Sequence, residues 1–538
     1  LRLATSAQSK ECDRLAIHEI GIDGKALMEN AGRGAAVDLC GRLGPAPCRV
    51  LVLCGGGNNG GDGYVIARHL RISGHHVKVL LLSDPGRLST DCAYNRSIVQ
   101  RMTALDAAHA PCPLEWDAQY PYMQAMSVPD EQKMEGLEPL FNSADCLIDA
   151  MLGTGLKSEV AGIYYTAIGL VNGRKSPGPM VVSADMPSGL DADTGMPHGV
   201  ALKADVTYTF GIPKAGLFLY PGRDFAGEVI SVGIGMPTEL VDRTGVPLME
   251  LFDRSLAGSI LPMRTGNFHK GDAGHLLVLA GSQDKPGAAL LACRAAMRAG
   301  GGLCTLASPT GVLSGLAASM SEVMGFALEA GPEGYLDISG EKLASLLSGK
   351  DALAIGPGIP TGPGTLALLL RILNRFEGTA VMDADGLNAV AGHFDEIKST
   401  GCRKVFTPHP GELSRLLDKA VPEIQSDRIA AARECSKLYS VVTVLKGAGT
   451  VISDADGGRV TINPTGNPGM ASGGMGDVLT GMIGAFCACG ISAYDSARLG
   501  AYVHGLSADI KAKKGATASL VASDVIAGFV DAFALLES

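Results

Sequence analysis

Asp185 in VVSADMPSGL and Asp477 in NPGMASGGMGDVL are acidic groups set where chemistry is often done, one at the end of an apolar run and the other at the opening of an apolar helix. A carboxylate so placed can take up a proton, or orient a hydroxyl for in-line attack on a phosphoryl group. Each also has a plainer role, since an Asp at a helix start caps it. His409, between Pro408 and Pro410 in TPHPGE, is stiff enough to face a substrate, although a loop histidine is as often a partly exposed bystander.

Residues 49–63, RVLVLCGGGNNGGDG, break an apolar run into glycines and resume as YVIARHLRISG with helical periodicity, which predicts a strand, a tight loop and a helix start. Gly55, Gly57 and Gly60 fit G-x-G-x-x-G, whose bare backbone N–H groups can approach an anion at the positive end of a helix. Asn58, Asn59 and Asp62 crowd the loop with polar atoms that a plain pyrophosphate loop does not need. LIDAMLGTGLKSE ends a strand at Asp149 and supplies a second glycine turn at residues 153–155. TYTFGIPKAGL presents Lys214, whose reading as a site residue stands beside that of a solvated loop lysine. An isolated strand-end Asp more often caps a helix, but several such loops in one unit should converge beyond the carboxyl ends of a parallel sheet. Asn59, Asp149 and Ser188 offer oxygen ligands without His or Cys, a set that selects a hard cation.

The C-terminal half carries a second set. Gly473, Gly474 and Gly476 precede the helix of Asp477 and predict an anion hole. KGAGT, residues 446–450, adds Lys446 and a glycine turn for phosphate oxygens, while DADGLN, residues 383–388, adds carboxylates that either meet a metal or cap a helix. No G-x-x-x-x-G-K-[ST] occurs, which disfavours a P-loop kinase.

These loops need sheets to hold them. VLVLC, HHVKVLLL, DCLIDAM, PMVVSADMP and DVTYTF alternate with helical stretches in the first half, and GHLLVLAG, GGLCTLASP, DALAIGPG, TAVMDADG, RKVFTPHPG and SVVTVLKG restart the rhythm in the second. Parallel strands with helical crossovers follow, so the chain is expected to be α/β, in two tandem units. At 538 residues it exceeds what one core usually serves. The pattern weakens around residues 235–255, giving expected domains at 1–240 and 241–538. A net charge of −10 with no basic stripe argues against nucleic acid as a partner, and no apolar run reaches the roughly 18 residues of a membrane span. The first residues lack the look of a secretory signal and the 13 cysteines show no repeated C-x-x-C, so reduced thiols and a cytoplasmic location are expected. The close pair Cys487 and Cys489 reads as helix packing rather than zinc ligation.

ALMENAG, GGGNNGGDG, DAMLGTG, ADMPSGL and TFGIPKAGL, in this order, resemble the NAD(P)H-hydrate epimerase family over residues 1 to about 235. The resemblance implies a Rossmann-like three-layer αβα sandwich that inverts C6 of hydrated NADH or NADPH. It implies that Asn58, Asn59, Gly60, Gly61 and Asp62, then Gly153, Thr154, Gly155, Leu156, Lys157, Ser158 and Glu159, with Tyr164 and Asp185, line the substrate. It further implies that Asn59, Asp149 and Ser188 hold K+. The chemistry suits the residues: a hemiaminal carbon can lose and regain its hydroxyl through a planar iminium, and Asp185 is the candidate acid/base.

From about residue 255 onward, FHKGDAGHLLVLAGS, GPG (356–358), DADGLN, TPHPGEL, KGAGTVI and NPGMASGGMGD resemble the NAD(P)H-hydrate dehydratase family. This implies a ribokinase-like three-layer αβα sandwich in which ADP, with Mg2+ beside it, phosphorylates the C6 hydroxyl of the S hydrate before phosphate leaves. Ala295, Gly358, His409 and Asp477 would face the hydrate, while Lys446, Gly447, Ala448, Gly449, Thr450 and Gly476 bind the nucleotide. Together the two resemblances imply a bifunctional repair enzyme acting on small molecules, with a homo-oligomer expected. The alternatives are an NAD-linked oxidoreductase using Gly55, Gly57 and Gly60 with Asp84 on the ribose, a ribokinase-like small-molecule kinase, and a nucleotide-binding regulatory module.

Overall fold

The structure, a computed structural model, describes residues 1–109, 116, 122–174, 177–262, 266–330 and 336–538. The chain divides into two compact units, one of Arg2–Leu248 and one of Met249–Ser538 together with Leu1.

In the first unit seven strands are laid side by side: β1 (Arg49–Cys54), β2 (His76–Leu81), β3 (Met123–Ser127), β4 (Cys146–Ala150), β5 (Met180–Ala184), β6 (Val206–Phe210) and β7 (Glu228–Val232). Their order is β3-β2-β1-β4-β5-β6-β7, every neighbouring pair parallel. Alternate residues of these strands enter two separate cores. Val50, Val52 and Cys54 pack with Leu27, Ala31 and Leu39 of the helix Gly24–Leu43 and with Ile66 and Leu70 of the helix Asn58–Ile72. Leu51 and Leu53 pack on the other side with Ala167, Ile168 and Val171 of the helix Ile163–Asn172. Period-two strands buried on both faces make an αβα sandwich, which is why β1 reads as an unbroken apolar run. β3 and β7, absent from the sequence reading, are the two edge strands, and β7 is largely uncovered.

The second unit has at its centre β8 (His275–Leu279), β9 (Leu303–Pro309), β10 (Met324–Ala330), β11 (Leu336–Asp337), β12 (Ala352–Ile355), β13 (Thr379–Met382), β14 (Arg403–Phe406), β15 (Val442–Leu445), β16 (Val451–Ser453) and β17 (Arg459–Ile462). They run in the order β17-β16-β15-β14-β13-β12-β8-β9-β10-β11, parallel from β15 to β10 and antiparallel at both flanks. One face is covered by the helices Pro286–Arg298, Met475–Ala488, Ala493–Lys514 and Ala522–Glu537, whose apolar positions share a core with Leu276, Val278, Ala354 and Val381. Leu277, Leu353 and Ala380 face the other way and are buried too. The register aligns Ile355 with Met382 and Met382 with Phe406, so the loops after β12, β13 and β14 emerge at one edge. The α/β class and the two parallel-sheet units match the sequence reading.

Candidate active sites

In the first unit the strand order reverses beside β1, and loops leaving β1 and β4 diverge at their carboxyl ends to open a crevice. A cavity of about 590 Å3 lies there. Asn58, Asn59, Asp62, Gly153, Thr154, Gly155, Leu156, Tyr164 and Asp185 line it, as does Lys214. Gly60, Gly61, Lys157, Ser158 and Glu159 are not on its wall; the last three are exposed beyond the turn. The glycine loop divides its labour differently from the fingerprint. A Cβ on Gly55 would lie 1.8 Å from the Met151 carbonyl oxygen and one on Gly60 2.0 Å from that of Gly55, so both serve close backbone packing. Gly57, with nothing within 4 Å, leaves its backbone open toward the cavity.

Asp185 does not cap a helix, because turns and bends rather than a helix follow it. Its backbone is left-handed, φ +63°, which costs a non-glycine residue about 1–2 kcal/mol. The conformation is held on three sides. Its amide donates to the Tyr208 carbonyl oxygen at 2.7 Å, and its Oδ1 accepts from the Phe210 amide at 3.1 Å and from Lys214 Nζ at 2.5 Å. Lys214, only 2% exposed, also donates to the Phe210 carbonyl oxygen, so it is a buried partner and not a solvated loop lysine. Strain secured this way at a cavity wall marks a group whose position matters.

Asp149 likewise caps nothing. It lies under the crevice and accepts from Ser183 Oγ (3.0 Å), Ser188 N (2.7 Å), Ser188 Oγ (2.5 Å) and Met151 N (3.2 Å). Burial still pushes its carboxyl above the ordinary range. Asn59 Nδ2 and Ser188 Oγ both reach the Leu152 carbonyl oxygen, which draws the three residues together. Asn59 Oδ1 is buried with no hydrogen-bond partner. An orphaned carbonyl oxygen beside a buried carboxylate is a donor set that fits a hard cation.

The sequence reading missed a carboxylate on this wall. Asp13 belongs to the helix Ser6–Leu15, which Thr5 and Gln8 start with a capping box. That signature was legible as T-x-x-Q before a helix, but nothing local said that Asp13 would meet Asp185. Burial raises the Asp13 carboxyl and Lys214 opposes the shift. Asp84, the ribose partner in the oxidoreductase alternative, is exposed, accepts from the Gly86 amide and is absent from the cavity wall.

In the second unit the loops after β12 to β15 meet the start of the helix Met475–Ala488. Asp383 does not cap a helix: its Oδ1 accepts from Lys446 Nζ at 2.6 Å and its Oδ2 from Thr480 Oγ1 at 2.8 Å. Burial would raise the Asp383 carboxyl, but the Lys446 ammonium holds it below its usual value. Lys446 lies 3.6 Å from Glu412 as well, so its amine is committed inside the protein and the glycine turn at Gly447–Thr450 presents backbone instead. Gly474 caps the helix with φ +88°, which makes Asp477 its third residue rather than its cap. Asp477 lies in the first turn, and burial together with the Asp383 charge pushes its carboxyl up to about 6. A Cβ on Gly476 would sit 3.3 Å from both Asp383 Oδ2 and Lys446 Nζ, so the glycine turn closes directly over that pair. His409 is the N-cap of the helix Pro410–Leu417; its Nδ1 accepts from the Gly411 and Glu412 amides, and Nε2 of the half-exposed ring lies 3.3 Å from Glu412 Oε1.

Two expected positions lie elsewhere. Ala295 is wholly buried in the core, its helix packed against the helix Met475–Ala488. Gly358, φ +65°, is buried against Lys285 and Ala288 at the start of the same helix. Lys285 Nζ in turn pairs with Asp385 Oδ2 at 2.8 Å.

Two families match the chain, one in each unit. The NAD(P)H-hydrate dehydratase family matches residues 276–528, and a family described as YjeF-related protein N-terminus matches residues 24–216. A bifunctional NAD(P)H-hydrate repair enzyme of Moorella thermoacetica is 38% identical over 529 residues, 97% of this chain and 95% of that protein. The chain belongs to the family of bifunctional NAD(P)H-hydrate repair enzymes. Its relative of the same name in Escherichia coli is 33% identical, covering 95% of this chain and 90% of that one. Among solved structures, the ADP/ATP-dependent NAD(P)H-hydrate dehydratase of Bacillus subtilis, co-crystallised with ATP/Mg2+, is 29% identical with a TM-score of 0.46, covering 53% of this chain and 98% of that chain. Of the described residues, no helix is long and apolar enough to cross a membrane.

Proposed function

We propose that the chain restores hydrated NADH and NADPH in two steps, the first unit (about residues 1–240) inverting C6 of the R hydrate and the second (about 241–538) dehydrating the S hydrate with ADP. The observation that carries this reading is that each unit has its own carboxylate–lysine pair, Asp185–Lys214 and Asp383–Lys446, at the carboxyl ends of its own sheet and beside a glycine turn.

In the first step the phosphates of the hydrate lie along the backbone of Gly57 and Gly153–Leu156, and the hydrated ring points toward Asp185. The hydroxyl leaves C6 as the ring nitrogen lone pair forms an iminium, and water returns on the opposite face. Asp185 takes the proton of that water, with Lys214 as its counter-ion. Asn59, Asp149 and Ser188 would hold K+, which supplies positive charge to the buried Asp149 and fixes the turn at Leu152. In the second step Asp477 takes the C6 hydroxyl proton as that oxygen attacks the terminal phosphorus of ADP. Phosphate then leaves with the C6–O electrons, a proton leaves C5, and the dihydropyridine double bond re-forms. The backbone of Gly447–Thr450 and of Gly476 receives the nucleotide phosphates. The carboxylate oxygens gathered here suit Mg2+, which commonly takes one or two carboxylates and completes its shell from phosphate and water. A cytoplasmic setting suits the described cysteines, all of them free.

The test is direct: protein is mixed with NADH hydrate equilibrated between its epimers, ADP and Mg2+, and the return of NADH absorbance is followed. Full recovery supports both steps; recovery of the S fraction alone removes the epimerase step, and no recovery removes the dehydratase step.

A further inference from the structure

Inverting C6 asks for chemistry on two faces of one ring. Hydroxide is a poor leaving group near neutral pH, so the departing oxygen needs a proton, while the incoming water must lose one to a base elsewhere. Asp185 accepts from the Lys214 ammonium and the Phe210 amide, which arranges it as a base. The wall carries another carboxyl of a different kind. Asp62 stands in the second turn of the helix Asn58–Ile72, lines the same cavity, and accepts no hydrogen bond from any described residue. Its neighbours are mostly acidic: Asp185, Asp13 and Asp91 repel its charge, and only Lys214 favours it. One carboxyl that accepts from a buried ammonium and another with no hydrogen-bond donor, in one site, suit the two halves of an acid/base pair. The other two carboxyls on the wall suit the acid role less well. Asp91 lies in the first turn of its helix, where the dipole favours the charged form, and at Asp13 the Lys214 charge outweighs that of Asp185.

We propose that Asp62 is the acid of the epimerase step, a second catalytic carboxyl that protonates the departing C6 hydroxyl while Asp185 receives the proton of the returning water. Burial holds the Asp62 carboxyl well above the ordinary range, which keeps the needed proton in place. The step balances: the Asp62 proton joins the hydroxyl oxygen, the C6–O pair stays with the departing water, and the ring nitrogen pair forms the C=N bond. The new water oxygen then bonds C6, its proton passes to Asp185, and the C=N π pair returns to nitrogen. In the reverse direction the two groups exchange roles.

This inference rests on the epimerase reading above, so the wild-type chain is measured first: no conversion of the R fraction of NADH hydrate overturns both. With the wild type active, Asp62→Asn keeps shape and polarity but carries no proton to give. The expected result is a fall in kcat for the R fraction of about 10²-fold or more with KM within about threefold, the usual size of a lost general acid. A kcat within about fivefold of wild type, or a loss confined to KM, overturns the proposal. Asp62→Ala adds a readout that a structural role would not move: formate, a small acid that fits the space left, is expected to restore R conversion where formamide does not. Equal response to the two additives overturns it.

Discussion

The two sites use the same residue types and opposite wiring. In the first unit the buried lysine pairs with the carboxylate assigned to chemistry, Asp185, and the same pair secures its left-handed backbone. In the second unit the lysine pairs with Asp383, which is buried and does no proposed chemistry, and Asp477 stands nearby without a cation of its own. The result is a raised carboxyl at the helix start, pushed to about 6, despite a helix dipole that favours its charge. The comparison shows that an Asp–Lys pair at a strand end does not by itself identify the base. In one unit the lysine holds the proposed base, and in the other it holds a carboxylate beside the base.

The largest effect expected from breaking this comparison is on rate. Asp477→Asn should lower ADP-dependent recovery of the S fraction by about 10²–10⁴ and leave R-to-S conversion, followed by chiral separation of the hydrates, unaffected. Asp185→Asn should do the reverse, with the S fraction recovering fast and the R fraction lagging at its spontaneous rate. Retention of both activities in either variant would erase the assignment of that carboxylate.

Next is stability. Asp383→Ala leaves the Lys446 ammonium buried beside Glu412 alone, and removal of one partner from a buried pair costs about 3–5 kcal/mol. Denaturant unfolding of the second unit should show that loss, while Lys214→Met, which breaks the other pair, should destabilise the first. Asp477→Asn is expected to act in the opposite sense. A carboxyl raised in the folded state penalises folding once it is charged, so the penalty grows from the unfolded value near 4 up to about 6 and is absent below. The variant should therefore gain about 3 kcal/mol at pH 8 and nothing at pH 3.5; equal stability at both would contradict a raised carboxyl.

The pH profile sharpens the contrast further. Dehydration of the S hydrate should fall about tenfold per unit below pH 6, where Asp477 gains its proton, and level off above. A rate flat from pH 5 to 8 would exclude Asp477 as the base. The smallest effect is at the cation site: Asp149→Asn, or exchange of K+ for a larger organic cation, should weaken hydrate binding to the first unit several-fold and leave the second unit unchanged. Identical affinity in the two salts would remove K+ from Asn59, Asp149 and Ser188.

The alternating apolar runs and glycine breaks were enough to predict two parallel α/β units, because strands covered on both faces must be apolar throughout and their crossovers must be amphipathic. Edge strands such as Glu228–Val232 escaped that reading for the same reason, having less of their surface covered. Asp185, Asp477, Lys446 and the two glycine turns were legible because each lies next to a break in a local pattern. The sequence could not say that Lys214 would close on Asp185, that Asp383 would claim Lys446, or that Asp13 from the first helix would enter the crevice. Nor could it say that Ala295 would be buried in the core, since which side of a small-residue helix faces the neighbouring helix depends on the partner and not on the helix. Local order follows from periodicity and backbone preference, which are carried by neighbouring residues. Charge pairing, burial and the proton affinity of a carboxyl depend on what the folded chain brings within a few ångströms, and only the tertiary structure sets those distances.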